Sequence, residues 1–145
     1  MIPDEIVWKD TKPFVPPITR GRVIKVYDGD TITIATKLPY PRSPLYRFSV
    51  RLLGIDTPEI KTKDKNENKT ALIAREKLSK KILNEIVELK DLGIDKYGRV
   101  LAYVYYNGRN LSNWLIKQRL AVAYDGGTKR IIKNWYSYYN YKPKK

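Results

Sequence analysis

Cysteine is absent from these 145 residues, and so is histidine. Without cysteine there is no disulfide, no zinc–thiolate site and no thiol nucleophile. Without histidine the commonest general base and the commonest transition-metal ligand are both gone. Any catalysis must run on carboxylates, lysine, arginine, tyrosine, hydroxyls or a bound hard cation. No apolar run is long enough to cross a membrane, and the opening MIPDEIVWKDTKPFVPPITR lacks the apolar core of a signal peptide. The expected location is cytoplasmic, or extracellular for a mature form whose leader has been removed. Acids are scarce: 15 Asp and Glu stand against 29 Lys and Arg, a net charge of +14. Such a surplus attracts polyanions, nucleic acid before an anionic membrane. The alternative is a basic surface that serves only solubility.

The length suits one domain with a real core, and a monomer is expected. Pro3, Pro13, Pro16 and Pro17 make residues 1–20 an extended proline-rich arm, with residues 21–145 forming the domain. Val23 to Tyr27 and Thr31 to Thr36 read as strands around an Asp28-Gly29-Asp30 turn. Leu38 to Pro44 reads as a loop. Arg47 to Leu53 alternates, with Phe48, Val50 and Leu52 on one face and Arg47, Ser49 and Arg51 on the other. Gly54 to Glu59 reads as a turn and the lysine-rich stretch from Lys61 to Lys69 as a loop.

From Thr70 the period becomes helical, with Ala71, Ala74, Leu78 and Ile82 on one face. Ile86 to Leu89 fits either a continuation of that helix or a short strand. Arg99 to Tyr106 is a strand ended by Asn107-Gly108, and Asn110 can cap a short helix with Leu111, Trp114 and Leu115 inward. Leu120 to Tyr124 is extended. A basic, aromatic segment after Thr128 is expected to be helical. Five short strands with a helix after the third describe an OB-type barrel in an α+β domain.

Three local groups carry chemistry. Asp28-Gly29-Asp30-Thr31 is an acidic turn, though Asp and Gly are ordinary turn residues as well. In Arg51-Leu-Leu-Gly-Ile-Asp56-Thr57-Pro58-Glu59, two carboxylates and an arginine crowd one strand end. Asp95-Lys96-Tyr97-Gly98-Arg99 is a turn leading into a strand. Together they match what phosphodiester cleavage demands. Charge grows on the nonbridging oxygens, so cationic donors must point there, and a metal must polarise phosphate and water. Two arginines supply planar, permanently charged forks; aspartates supply hard oxygens for calcium; a glutamate can act on water where histidine is lacking.

The runs DGDT, RLLGIDTPE and DKYGRVLAYVY, in that order, resemble the staphylococcal nuclease (thermonuclease) family from about Val23 to Tyr124. The resemblance implies an OB-fold five-stranded β-barrel with packed helices that binds one Ca²⁺ rather than Mg²⁺. By matching positions it implies Asp30 and Asp56 as carboxylate ligands and Thr57 as a carbonyl ligand. Glu59 would hold or deprotonate the attacking water. Arg51 and Arg99 would contact the scissile phosphate. Lys96 and Tyr97 would approach a terminal phosphate and Tyr124 would lie beside the nucleotide. The family breaks the P–O5′ bond, leaving 3′-phosphate and 5′-hydroxyl ends.

The chain also departs from the family. Lys37 to Pro44 is longer and richer in proline, and a second tyrosine near Tyr124 has no counterpart in Asp125-Gly126-Gly127. The expected substrate is single-stranded or frayed DNA, with RNA left open. The alternative is a non-catalytic nucleic-acid-binding OB module.

After Gly126 come Lys129, Arg130, Lys133, Lys142, Lys144 and Lys145, interleaved with Trp135, Tyr136, Tyr138, Tyr139 and Tyr141. The aromatics can stack on bases or dock a helix on the barrel. Lysines from Lys61 to Lys81 form a second basic stretch beside Glu59.

Overall fold

The barrel begins where the prolines stop. In the computed structural model, which describes residues 1–128 and 130–141, the first strand is Arg20–Val26 (β1). Lys129, Lys142, Lys144 and Lys145 of the basic tail lie outside the described residues. Before β1 the arm holds one 3₁₀ turn, Trp8–Asp10, and leaves Trp8 91% exposed. Ile18 already belongs to the core.

Alternation decides which side chains enter the barrel. β1 pairs antiparallel with Thr31–Lys37 (β2), which pairs with Leu45–Leu52 (β3), placing Thr31 opposite Arg51. Val23, Ile32, Ile34, Val50 and Leu52 are fully buried, as the period of two requires. Ile86–Ile94 (β5) runs antiparallel to β1 and to Val100–Tyr106 (β6). The sheet closes where β3 meets β6 in parallel, Val50 opposite Val100 and Leu52 opposite Ala102. The result is a closed five-stranded barrel with three helices, of the α+β OB-like type.

Three sequence expectations need correction. The polar stretch Lys61–Lys69 is not all loop, because the first helix spans Lys65–Ile82 (α1). Its start is set by Asp64, whose carboxylate accepts the N–H groups of Asn66 and Glu67 at 2.9 and 3.1 Å. The turn after β3 contains a two-residue strand, Ile55–Asp56 (β4), paired with Val122–Ala123 (β8). The last helix starts only at Trp135, spans Trp135–Asn140 (α3) and is capped by Asn134; no helix begins at Thr128.

The ambiguity at Ile86–Leu89 resolves as strand: Asn84 takes a left-handed φ of 67° and turns the chain out of α1. Asn110 ends the short strand Arg109–Asn110 (β7) and caps Leu111–Lys117 (α2), accepting from Ser112 N and Asn113 N. Leu111 and Leu115 are buried, while Trp114 is half-buried beneath the Lys81 ammonium. No helix among the described residues is long and apolar enough to span a membrane.

Ala71, Ala74, Leu78 and Ile82 repeat at helical spacing and are fully buried, so they hold α1 in place. Leu78→Ala is expected to cost about 2–5 kcal/mol of unfolding free energy, because a fully buried leucine leaves a cavity. Urea titration measures this; a loss well below 1 kcal/mol would show that α1 does not depend on that contact.

Candidate active site

The β1–β2 turn brings the first two acids. Asp30 N–H donates to Asp28 Oδ1 at 3.0 Å, and the Thr31 hydroxyl donates to Asp30 Oδ1 at 2.9 Å. Gly29 packs so tightly that a Cβ would lie 3.1 Å from the Ala74 methyl and 3.4 Å from Thr57. A larger residue would push the turn away from α1 and from the Thr57 segment. Leu52 N–H donates to Asp30 O at 2.8 Å, locking the turn to the end of β3.

Arg51 leaves β3 there, on the face opposite Val50 and Leu52. It is not a loose surface cation. Its Nη1 donates to Leu52 O at 2.5 Å and its Nη2 to Ile55 O at 3.0 Å, while Nη2 stands 3.5 Å from Asp30 Oδ2. Asp56 follows on β4, its backbone held opposite Val122. Thr57 is buried, and its side chain hydrogen-bonds toward Asp30. Glu59 is exposed at its side chain but fixed at its backbone, where N–H donates to Glu67 Oε2 of α1 at 2.8 Å.

Arg99 immediately precedes β6, the strand that pairs with β3. Asp95 accepts from Tyr97 N at 2.9 Å, from Arg99 N at 2.8 Å and from Arg99 Nε at 2.7 Å. One carboxylate thus shapes the turn and aims the guanidinium. Burial alone would raise the Asp95 carboxyl; the hydrogen bonds from Arg99 and Tyr97 and the charge of Arg99 outweigh it and lower it.

These pieces meet around one cavity of about 250 Å³ whose walls include Asp28, Asp30, Arg51, Asp56, Glu59 and Arg99, with Thr57 beside them. Lys96 and Tyr97 do not line it. They sit in the turn before Arg99, with Tyr97 74% exposed and the Arg99 guanidinium 5.9 Å from its ring. Tyr124 lines a neighbouring cavity of about 470 Å³, which shares Arg51 with the first. Its N–H donates to Gly54 O at 2.9 Å.

Asp28 is the site residue that the motif reading passed over. Burial, a hydrogen bond with Asp30 and repulsion by its charge push the Asp28 carboxyl up to about 7. Burial would raise Asp30 too, but the bond from Asp28, the Arg51 charge and the Thr31 and Thr57 side chains bring it below the ordinary value.

The donor chemistry fits a hard cation. Every candidate ligand is an oxygen, and the Asp28–Asp30 pair lacks enough positive charge to ionise both members at once. Among the described residues no three carboxylates are arranged to enclose a metal by side chains alone. The rest of a coordination shell would come from backbone carbonyls and water, which hard cations accept readily.

A family model described as staphylococcal nuclease homologue matches residues 49–142. An "uncharacterized endonuclease" of Haemophilus influenzae is 36% identical over 108 residues, covering 71% of this chain and 51% of that protein. A "probable endonuclease" of Schizosaccharomyces pombe is 34% identical over 128 residues, covering 73% and 56%. A "probable endonuclease" of Eremothecium gossypii is 35% identical over 88 residues, covering 58% and 32%. The chain spans about half the length of the first two of these curated relatives and about a third of the last.

The carboxylate pair has a consequence for stability in the metal-free protein. An unfolded Asp28 loses its proton near 3.8, whereas the folded one keeps it to about 7. Between those values the folded state binds more protons, so this group makes stability fall as pH rises. Asp28→Asn removes the effect. The melting temperature of the variant, relative to the parent, is expected to climb from pH 4 to pH 7 and then level off. Thermal melts in chelator test this; a constant difference across that range would disprove the coupling.

Proposed function

The chain belongs to the staphylococcal nuclease homologue family, and from that premise we propose that it hydrolyses phosphodiester bonds of DNA with one bound calcium ion. The observation that carries this reading is the single cavity gathering Asp30, Arg51, Asp56, Glu59 and Arg99 from separate stretches of chain. Donors fixed before the reaction stabilise developing charge without reorganisation. Arg51 is fixed by two backbone carbonyls and Arg99 by Asp95. A guanidinium carries five N–H groups, so both forks keep donors for a phosphate.

In the proposed reaction Arg51 and Arg99 grip the nonbridging oxygens of the scissile phosphate. Glu59 takes a proton from water, and the water oxygen forms a bond to phosphorus. The P–O5′ bond breaks, and O5′ leaves as a hydroxyl after taking up a proton. A 3′-phosphate remains on the other fragment. Glu59 is the natural base in a chain without histidine. Asp30, Asp56 and the Thr57 backbone carbonyl would hold the ion, which supplies Lewis-acid polarisation of the phosphate and a more acidic water. Calcium suits such a mixed oxygen set better than magnesium, which demands stricter octahedral geometry.

The cavity beside Arg51 has walls that include Leu53, Ile55, Leu101, Tyr103 and Tyr124, an apolar slot suited to one unstacked base. That supports a preference for single-stranded or frayed DNA, with Tyr124 beside the base and Lys96 and Tyr97 nearer a terminal phosphate. RNA meets the same requirements and belongs in the same assays.

Initial rates on heat-denatured DNA test the residue roles. Glu59→Gln and Arg99→Ala are each expected to lower turnover by about 100-fold or more while the melting temperature stays close to the parent's. Normal cleavage by both variants would mean the roles are wrongly assigned. A second assay compares calcium, magnesium and chelator and then examines the ends. Cutting is expected with calcium only, leaving 3′-phosphates. A folded protein that binds DNA yet never cuts it would be a non-catalytic nucleic-acid-binding module.

A further inference from the structure

The cavity beside Arg51 does not stand alone. A second cavity of about 430 Å³ adjoins it, and both share Gly54, Tyr103, Tyr124 and Asp125 as walls. One has Arg51 in its lining and the other Arg130. The trough therefore joins the guanidinium at the candidate site to a second cation, with tyrosine rings and aliphatic side chains between them.

Asp125 is out of place in such a trough. It is the only acid among the described residues lining either cavity. A carboxylate facing a polyanion is repelled, and desolvating it costs free energy unless donors compensate. The protein supplies one donor: Gly127 N–H donates to Asp125 Oδ1 at 2.9 Å. A side chain at Gly127 would crowd that same oxygen, its Cβ lying 3.1 Å away. Gly126 turns the chain there at a φ of 94°. The Asp-Gly-Gly sequence thus orients an exposed carboxylate whose Oδ2 and further lone pairs face water and are open to a ligand's donors.

We propose that Asp125 makes this trough selective for the base beside the scissile phosphate, favouring guanine and disfavouring thymine. The inference rests on the nuclease reading above. A carboxylate only accepts hydrogen bonds. Guanine presents adjacent N1–H and N2–H donors, which two carboxylate oxygens can take together. Cytosine and adenine each offer one amino group beside a ring-nitrogen acceptor. Thymine offers N3–H between two carbonyl oxygens, which a carboxylate repels. Discrimination follows from the polar group left unpaired with the wrong base, not from the fit of the apolar walls.

The test titrates the whole chain with dGMP, dCMP, dAMP and TMP in calcium buffer, following intrinsic fluorescence. The parent is expected to bind dGMP about tenfold more tightly than TMP, the scale of one good bidentate contact. Asp125→Asn, which pairs a donor with an acceptor, and Asp125→Ala, which has neither, are both expected to lose most of that gap. Equal affinity for the four nucleotides, or an unchanged gap in both variants, would overturn the assignment. Sequencing the ends of digested DNA gives a separate reading, with guanine enriched beside the cut by the parent alone. A binding gap without any cutting supports the selective trough while sinking the nuclease reading, so the two can fail independently.

Discussion

The parallel contact between β3 and β6 is the constraint on which the site depends. Val50, Arg51 and Leu52 lie opposite Val100, Leu101 and Ala102, and this pairing closes the barrel. It also brings the end of β3 to the start of β6. Arg51 and Arg99, 48 positions apart in sequence, then flank one cavity. The β1–β2 turn reaches the same place because Leu52 N–H is bonded to Asp30 O. Nothing in the three motifs requires them to be neighbours; the barrel closure does.

Charge in the cavity is arranged by opposition. A chain of net charge +14 gathers acids in this cavity, with cations interleaved among them. Arg51 stands against Asp30, and Arg99 against Asp95. Each arginine is also held by a partner outside the reacting region: backbone carbonyls for Arg51 and the Asp95 turn for Arg99. Asp28 has no such cation among the described residues, and burial beside Asp30 keeps its proton on to near neutrality. A divalent cation would supply the missing positive charge and favour loss of that proton.

Much of the fold was legible because burial in a barrel imposes a period of two. Phe48, Val50 and Leu52 announced the β3 face, and Ala71, Ala74, Leu78 and Ile82 the buried stripe of α1. The start of α1 was not legible by the same means. Its first turn buries little, and the apolar pattern starts only at Thr70; the Asp64 cap, not hydrophobicity, sets the boundary. Ile86–Leu89 was undecidable because four apolar-rich residues fit both periods, and only pairing with β1 and β6 distinguishes them. β4 was invisible for another reason, since a two-residue strand carries no period at all, whereas β8 falls within the extended stretch read at Leu120 to Tyr124. In the site, motif order pointed to Asp30, Arg51, Asp56, Glu59 and Arg99, but Asp28 emerged only from its nearness to Asp30. Glu67 and Asp95 act through backbone contacts that no spacing rule announces.

The aromatic C-terminal segment shows how packing narrows a choice that composition leaves open. Trp135 is buried and meets Tyr138 edge-on at 5.8 Å, so it docks α3 rather than waiting for a base. The neighbouring rings are also engaged. Lys69 lies 4.1 Å from the Tyr136 ring, Lys77 5.5 Å from Tyr139, and the Arg119 guanidinium 3.8 Å from Tyr138. Arg119 Nε further donates to Tyr138 O at 2.7 Å, tying α3 to the end of α2. Each of these rings already has a cation over one negative face, which leaves less of it open to a base. The same lysines of α1 that could attract a phosphate are in part what hold α3 down. The better place for a base is the trough at Tyr103 and Tyr124, which adjoins Arg51, rather than the helix whose aromatics already serve the fold.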